Sequence, residues 1–263
     1  MSVPVPFGQF VPGDSPVHRL DSRVKISVMV ALTVTLFSVG GWPGLLVIAA
    51  AVVMTVRIAG VPWRLALRGL KPVVWLLLFT LLVHALRWKS AEASFAFGPV
   101  SVDGLGLSAG AFLALRIIVL MLGASLVTLT SSPVALTDAL ASMLRPLALV
   151  RFPVDDVAMM FSIALRFIPT TAEEAERIVV AQTARGAVFD SGGPFKRAKA
   201  WVPVLIPLFV RLFRRADDLA IAMESRCYTG RGRSRLRELV LRPTDWAVLV
   251  VTVILSAAVA ILL

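Results

Sequence analysis

Two arginines in matching positions are the residues of this sequence best suited to chemistry. Residues 173–186 read EEAERIVVAQTARG and residues 214–227 read RRADDLAIAMESRC, which aligns Arg185 with Arg226 at an offset of 41 residues. Each segment is predicted to be a helix that ends on its arginine. Small residues lie on either side of the two arginines: Ala184, Gly186, Ser225 and Cys227. A guanidinium group stays charged and bonds carboxylates or helix-terminal carbonyls in a fixed geometry, so the repeat indicates a docking device for a soluble partner.

Simpler interpretations of the repeat stay open. An arginine in the last turn of a helix stabilises the helix dipole without any partner, although its occurrence at two matched helix ends favours docking. Two copies fall short of the three or more that a helical solenoid needs. Alanines also match in the repeat, Ala175 with Ala216 and Ala181 with Ala222. They would let two helices cross closely, or they simply favour helix formation.

Patterns typical of enzymes are absent from the sequence. It has no Gly-x-x-x-x-Gly-Lys-Ser/Thr phosphate loop and no Gly-x-Ser-x-Gly nucleophile turn. His18 and His84 are far apart along the chain, so they do not suggest a cluster of metal ligands. The sequence therefore predicts a protein that is not an enzyme and holds no metal or cofactor of its own.

Arg116 lies inside a long apolar stretch, where a charge is costly and points to function by default. It is also only about six residues from the predicted start of that stretch, a distance over which an arginine reaches back to the membrane interface. A functional arginine and an interfacial one are both consistent with the sequence.

The composition indicates a membrane protein. Hydrophobic residues make up 58% of the chain, above the roughly 45–50% of soluble domains. The net charge of +11 comes with long apolar stretches, which argues against a nucleic-acid partner. In a membrane protein such an excess of Arg and Lys marks loops that face the anionic cytoplasmic side of the lipid bilayer.

Five apolar stretches are predicted to span the membrane, at 26–39, 43–59, 72–88, 110–130 and 246–263. Basic residues are concentrated at the N-terminus and in the 57–71 connection, whereas the 40–43 turn has no charge and the 89–109 loop has one lysine. The positive-inside rule therefore places the N-terminus, the 57–71 loop and the 131–244 segment in the cytoplasm.

The 131–244 segment is amphipathic, and we expect three helices there, at about 134–145, 154–186 and 195–228. Prolines inside the last two, at 169, 203 and 207, are expected to bend them. Their mixed charge suggests one face on the membrane interface and one on a partner. The acidic clusters near 174 and 217 are expected to form solvated or inter-helix ion pairs.

The prediction is an all-α, polytopic membrane protein with about five transmembrane helices and a cytoplasmic or interfacial module of about three amphipathic helices. Its parts are a cytoplasmic N-terminal segment, four transmembrane helices, the amphipathic module with the two arginine motifs and the last transmembrane helix, at 1–25, 26–130, 131–244 and 245–263.

Four segments resemble one known family. They are HRLDSRVK at 18–25, ALRFIP at 164–169, AQTARG at 181–186 and AMESRCY at 222–228. They are similar to the signature blocks of the transmembrane T components of energy-coupling factor transporters, and the likeness covers about residues 17–245. The chain departs from the family pattern in two places: Ser22 replaces the usual proline, and Ser-Arg-Cys replaces the commoner Ala-Arg-Gly in the second arginine motif.

The resemblance implies a non-catalytic coupling subunit of an importer for a vitamin or a transition-metal ion in a bacterial plasma membrane. It implies two ATP-binding-cassette ATPase subunits, which bind ATP and Mg, and one small membrane S component, which captures the nutrient. Arg185 and Arg226, with their small neighbours, would be the ATPase-docking residues. The alternative is a self-contained secondary transporter, which predicts inverted repeats among the spans and polar residues at mid-membrane.

Overall fold

In a computed structural model of the chain, the described residues are 10–88, 95–97, 100–102, 104–146, 153–228 and 241–262. They divide into two units. The apolar unit contains residues 10–139 and 241–262, and the hairpin unit contains residues 140–228.

Helices dominate the apolar unit. They are α1 (Pro16–Arg19), α2 (Ser22–Ser38), α3 (Trp42–Ala59), α4 (Trp63–Ala66), a 3-10 segment (Leu67–Val73), α5 (Val74–Ala85), α6 (Gly104–Thr130) and α10 (Pro243–Leu262). The next helix, α7 (Pro133–Met143), begins in this unit. In this unit α2, α3 and α5 each pack against α6, and α10 packs against α2. Leu36, Leu45, Val56 and Val119 are fully buried in the core.

Three helices among the described residues are long and apolar enough to cross a membrane. They are Trp42–Ala59, Trp63–His84 and Gly106–Thr130. The apolar part of α10, Pro243–Val259, is shorter. These helices confirm the all-α, polytopic class, whereas membrane crossing by α2 and α10 stays a prediction, as does the division of the chain at residues 25, 130 and 244.

The connection between α5 and α6 was predicted to be a loop, and this is wrong. Its described residues include three short strands, β1 (Leu86–Trp88), β2 (Phe95–Phe97) and β3 (Val100–Val102). They form an antiparallel sheet in the order β1-β3-β2, with Leu86 and Phe95 both opposite Val102. Aromatic and β-branched residues explain the strands. The predicted 72–88 span therefore ends too late, and the predicted 110–130 span starts too late because α6 begins at Gly104.

The 18–25 segment joins the ends of several helices in the apolar unit. The Asp21 carboxylate caps α2 by accepting a hydrogen bond from the Arg23 N–H at 2.8 Å. Asp245, at the start of α10, accepts the Asp21 N–H at 3.1 Å and the Arg242 N–H at 2.8 Å. The Lys25 ammonium, also buried, donates to groups at the end of α6. The 18–25 segment thus fixes where the chain enters the helical bundle.

The hairpin unit consists mainly of two 31-residue helices, α8 (Val154–Ala184) and α9 (Pro194–Glu224). Asp155 and Asp156 lie in the first turn of α8, where negative charge is favourable. Pro169 lies inside α8, and Pro203 and Pro207 lie inside α9, yet each helix is continuous. The predicted helix ends at 186 and 228 lie two and four residues beyond the observed ends at Ala184 and Glu224.

Candidate functional site

Arg185 lies in a tight turn that closes α8. The helix ends at Ala184, Arg185 follows with φ −88° and ψ 8°, and Gly186 has φ +86°. The N–H groups of Gly186 and Ala187 donate to the carbonyls of Thr183 and Gln182 at 2.9 and 3.0 Å. These two bonds define a Schellman-type helix end, in which a residue with left-handed backbone turns the chain away from the helix axis.

The turn after α9 repeats this hydrogen-bond pattern at the offset of 41 residues. The Cys227 N–H donates to the Glu224 carbonyl at 2.9 Å, and the Tyr228 N–H donates to the Met223 carbonyl at 3.0 Å. Cys227 has φ +55° and takes the place that Gly186 has in the first turn. The sequence repeat is therefore a repeat of backbone geometry, although both arginines lie just beyond their helices rather than in the last helical turn.

Both turns present their arginine to solvent. All six predicted docking residues are exposed: Ala184, Arg185, Gly186, Ser225, Arg226 and Cys227. Among the described residues, neither arginine side chain has a hydrogen bond or ion pair. Two unpaired guanidinium groups on rigid turns can form bidentate bonds with carboxylates or with carbonyls of an approaching protein.

Contacts between α8 and α9 run in antiparallel order. The Tyr228 hydroxyl donates to the Met159 sulfur at 2.9 Å, and the Arg211 guanidinium pairs with the Glu174 carboxylate at 2.7 Å. Nearer the connecting turn, the rings of Phe189 and Trp201 lie 5.1 Å apart. The Arg211–Glu174 pair confirms an inter-helix ion pair for the first acidic cluster.

Arg215 adds two contacts to the same helix pair. Its guanidinium lies 5.1 Å from the Phe167 ring centroid and donates to the Thr170 hydroxyl at 3.2 Å. In this antiparallel order, the matched alanines lie at different levels of the pair. The predicted close crossing at these alanines therefore stays a prediction.

The antiparallel order puts the two arginine turns at opposite ends of the helix pair. Tyr228, next to the Arg226 turn, contacts Met159 near the start of α8, whereas Arg185 follows the end of α8. At a rise of about 1.5 Å per residue, the stretch from Met159 to Arg185 spans about 40 Å. One small pocket cannot hold both arginines, so the geometry fits two separate docking surfaces.

Arg116, the other predicted site residue, belongs to the apolar unit. Its guanidinium donates to the carbonyl of Val39, the residue that follows and caps α2, and lies 5.6 and 4.8 Å from the ring centroids of Phe37 and Phe112. The Nε atom of Arg116 is buried and has no partner in the described part of the chain. Arg116 therefore makes a helix-to-helix contact that the sequence did not predict.

The histidines lie in separate local contacts. The His84 ring bonds the Thr80 carbonyl of its own helix at 2.8 Å, and the His18 ring contacts Ser15 and Val11. Within the described residues, no group of three or more His, Cys, Asp and Glu side chains could hold a metal ion.

Comparison with known proteins gives matches over nearly the whole chain. A family model described as cobalt transport protein, CbiQ, matches residues 13–237. The chain is 47% identical to an energy-coupling factor transporter transmembrane protein EcfT of Thermanaerovibrio acidaminovorans, over 95% of this chain and 93% of the relative. It is 42% identical to the protein of that name from Thermosediminibacter oceani, over 96% of this chain and 95% of the relative. The identity to that of Bacillus subtilis is 41%, over 95% of both.

Proposed function

The chain belongs to the CbiQ family as a transmembrane component of an energy-coupling factor transporter, and we propose that it couples ATP hydrolysis in two partner ATPases to nutrient uptake. The observation that carries this proposal is the pair of matching exposed arginine turns at opposite ends of α8 and α9. The family shows that the chain works in a transporter; the two turns suggest where force enters it.

Each arginine turn is proposed to dock one ATP-binding-cassette subunit. The side chains of Arg185 and Arg226 are exposed, lack partners in the described hairpin unit and are about 40 Å apart along the helix pair. Small neighbours such as Ala184 and Ser225 let a partner surface approach each guanidinium closely. Because the two turns share the same backbone geometry and lie at opposite ends of the helix pair, we expect this chain to bind two ATPase subunits rather than one.

The helix pair is proposed to carry motion between those two ends. The contacts of Arg211 with Glu174 and of Arg215 with Phe167 and Thr170 link α8 to α9 part-way along their length. A displacement of one turn by its ATPase therefore reaches the other helix through side-chain contacts. ATP and Mg are bound by the partner ATPases in this proposal, and this chain supplies no catalytic group.

The nutrient is proposed to be a vitamin or a transition-metal ion, captured by a small membrane S component rather than by this chain. The N-terminus and the arginine turns would face the cytoplasm of a bacterial cell, where ATP is available. The positive-inside distribution of Arg and Lys supports this orientation.

The test is affinity purification of tagged chain from its native membrane, with mass spectrometry of the proteins that accompany it. Recovery of one or two kinds of ATP-binding-cassette subunit with a small apolar membrane protein is the expected result. Recovery of the chain alone, from membranes that contain such ATPases, contradicts the coupling role and supports a self-contained transporter.

A further inference from the structure

A basic side chain of α2 binds the C-terminal end of α6, and a basic side chain of α6 binds the C-terminal end of α2. Lys25, in the first turn of α2, donates through its ammonium to the carbonyl of Thr130, the last residue of α6, at 2.8 Å and to the Ser131 hydroxyl at 3.1 Å. Arg116 of α6 donates to the carbonyl of Val39, which follows and caps α2. Each helix thus places a cation at the negative end of the other helix's dipole.

The two contacts belong to one register. Val39 lies as far along α2 from Lys25 as Thr130 lies along α6 from Arg116, about 21 Å at roughly 1.5 Å per residue. At the midpoint Leu32 packs on Gly123, where an added Cβ atom would lie only 2.5 Å from a Leu32 methyl carbon. Both ends and the middle therefore fix the same antiparallel alignment.

Sliding of the two helices by one turn would be costly at the Lys25 end. Lys25 is only 6% exposed, and Thr130 and Ser131 are also buried. A shift of about 5.4 Å would separate the buried ammonium from its oxygens, and an unpaired buried charge is strongly unfavourable. At the other end Arg116 would also lose its position over the rings of Phe37 and Phe112.

We propose that Lys25 and Arg116 are positioning residues that lock α2 and α6 in one axial register, so that the two helices move as a single strut during transport. The end of α6 leads through Ser131 into α7, which begins at Pro133, so the lock also fixes where α7 starts. The movement part of this proposal rests on the proposed coupling function; the lock itself does not.

Disulfide cross-linking measures the register directly. Cys227 is the only cysteine, so Cys227→Gly gives a cysteine-free background. One variant in this background carries the in-register pair, Leu32→Cys with Gly123→Cys. A second carries the off-register pair, Leu32→Cys with Val119→Cys. A shift of one turn moves a pair beyond disulfide range, so we expect the in-register pair to form about tenfold faster under mild oxidation. The rates are compared in membranes, and again in purified complex with and without ATP and Mg²⁺.

The variants are Lys25→Met, Arg116→Met, both together and Lys25→Arg, with Arg19→Met as an exposed control from the same N-terminal segment. Lys25→Met and Arg116→Met are each expected to lower the ratio of in-register to off-register cross-linking rates by about threefold. The double variant is expected to lower this ratio by more than the product of the two single effects, because each residue still holds the register when the other is replaced. Lys25→Arg and Arg19→Met keep the ratio, and ATP leaves it unchanged.

Either of two results overturns the proposal. The first is an unchanged ratio of cross-linking rates in both Lys25→Met and Arg116→Met. This result can be measured even if the double variant fails to insert into the membrane. The second is a ratio that changes when ATP and Mg²⁺ are added to purified complex in which Lys25 and Arg116 are both unchanged. The first result is independent of the proposed docking, whose own failure is read from missing ATPases in the purification. The second result is read only from complex in which the ATPases are present.

Discussion

Cys227 occupies, after α9, the left-handed backbone position that Gly186 occupies after α8. The φ angles are +55° and +86°, and the same two hydrogen bonds close both turns. Cys227 is the one non-glycine residue with positive φ in the described part of the chain. A side chain in this conformation costs about 1–2 kcal/mol, so the second turn is held under strain that the first does not have.

Cys227→Gly is expected to raise the free energy of unfolding by about 1 kcal/mol, because relief of the backbone strain exceeds the extra chain entropy of glycine. Reversible unfolding in mixed micelles measures the change. A lower stability in Cys227→Gly would contradict the strain.

Gly186→Ala is expected to destabilise the chain by about 1–2 kcal/mol, although nothing lies within 4 Å of the added methyl group. Gly40→Ala is the matched control, since Gly40 also has open space around it but is not among the glycines with positive φ. Equal effects of the two substitutions would show that the left-handed backbone at Gly186 has no energetic consequence.

The stability of the chain should depend on the charge of Lys25, which lies ahead of the predicted 26–39 span. Burial lowers the pKa of the Lys25 ammonium from 10.5 to about 8, against the opposing effect of the Asp21 carboxylate. Between these pH values the unfolded chain binds a proton that the folded chain does not, so stability rises as pH increases from about 8 to about 10.5. Lys25→Met should remove this part of the slope in unfolding experiments; an identical slope in both proteins would argue against it.

Gly123→Val is expected to lower the free energy of unfolding by about 1–3 kcal/mol, because its side chain overlaps Leu32 where α2 meets α6. Adding Leu32→Ala should restore part of the loss by making room. Gly40→Ala, with nothing within 4 Å of the new methyl group, serves as the control. A Gly123→Val protein as stable as the unmodified chain would mean that the helices are not closely packed there.

Asp245→Ala is expected to destabilise the chain by about 2–3 kcal/mol, because it leaves the N–H groups of Asp21 and Arg242 without their acceptor. Asp245 is 1% exposed. Asp14, whose side chain is 97% exposed beside Arg19, is the control, and Asp14→Ala should change stability by less than about 0.5 kcal/mol. Similar losses at the two positions would rule out a special role for the buried carboxylate.

The sequence was sufficient for the main helices and for the two arginine turns, because apolar length and the repeat at an offset of 41 residues are local signals. It missed the start of α6 because the glycines at 104, 106 and 110 disfavour helix in isolation. In the structure Gly110 lets α6 approach Leu81 and His84 of α5, so packing outweighs that preference.

Contacts between distant segments were beyond the sequence. Nothing local pairs Arg215 with Phe167, so the placement of the arginine turns at opposite ends of α8 and α9 could not be predicted. Arg116 was recognised as unusual, but its partner, the Val39 carbonyl, is a backbone atom and leaves no mark in the side-chain pattern. The strain at Cys227 was hidden for a similar reason, since a cysteine gives no signal for a left-handed backbone.

The central claim is that Arg185 and Arg226 dock the ATPases, and the most direct measurement is co-purification of ATPase subunits with an Arg185→Glu, Arg226→Glu variant. Arg177→Glu with Arg214→Glu, at exposed helix positions away from the turns, is the matched control for charge reversal. Loss of the ATPases from the first variant alone, at equal amounts of chain in the membrane, is the predicted result. Retention of both ATPases by the first variant would contradict docking through the arginine turns.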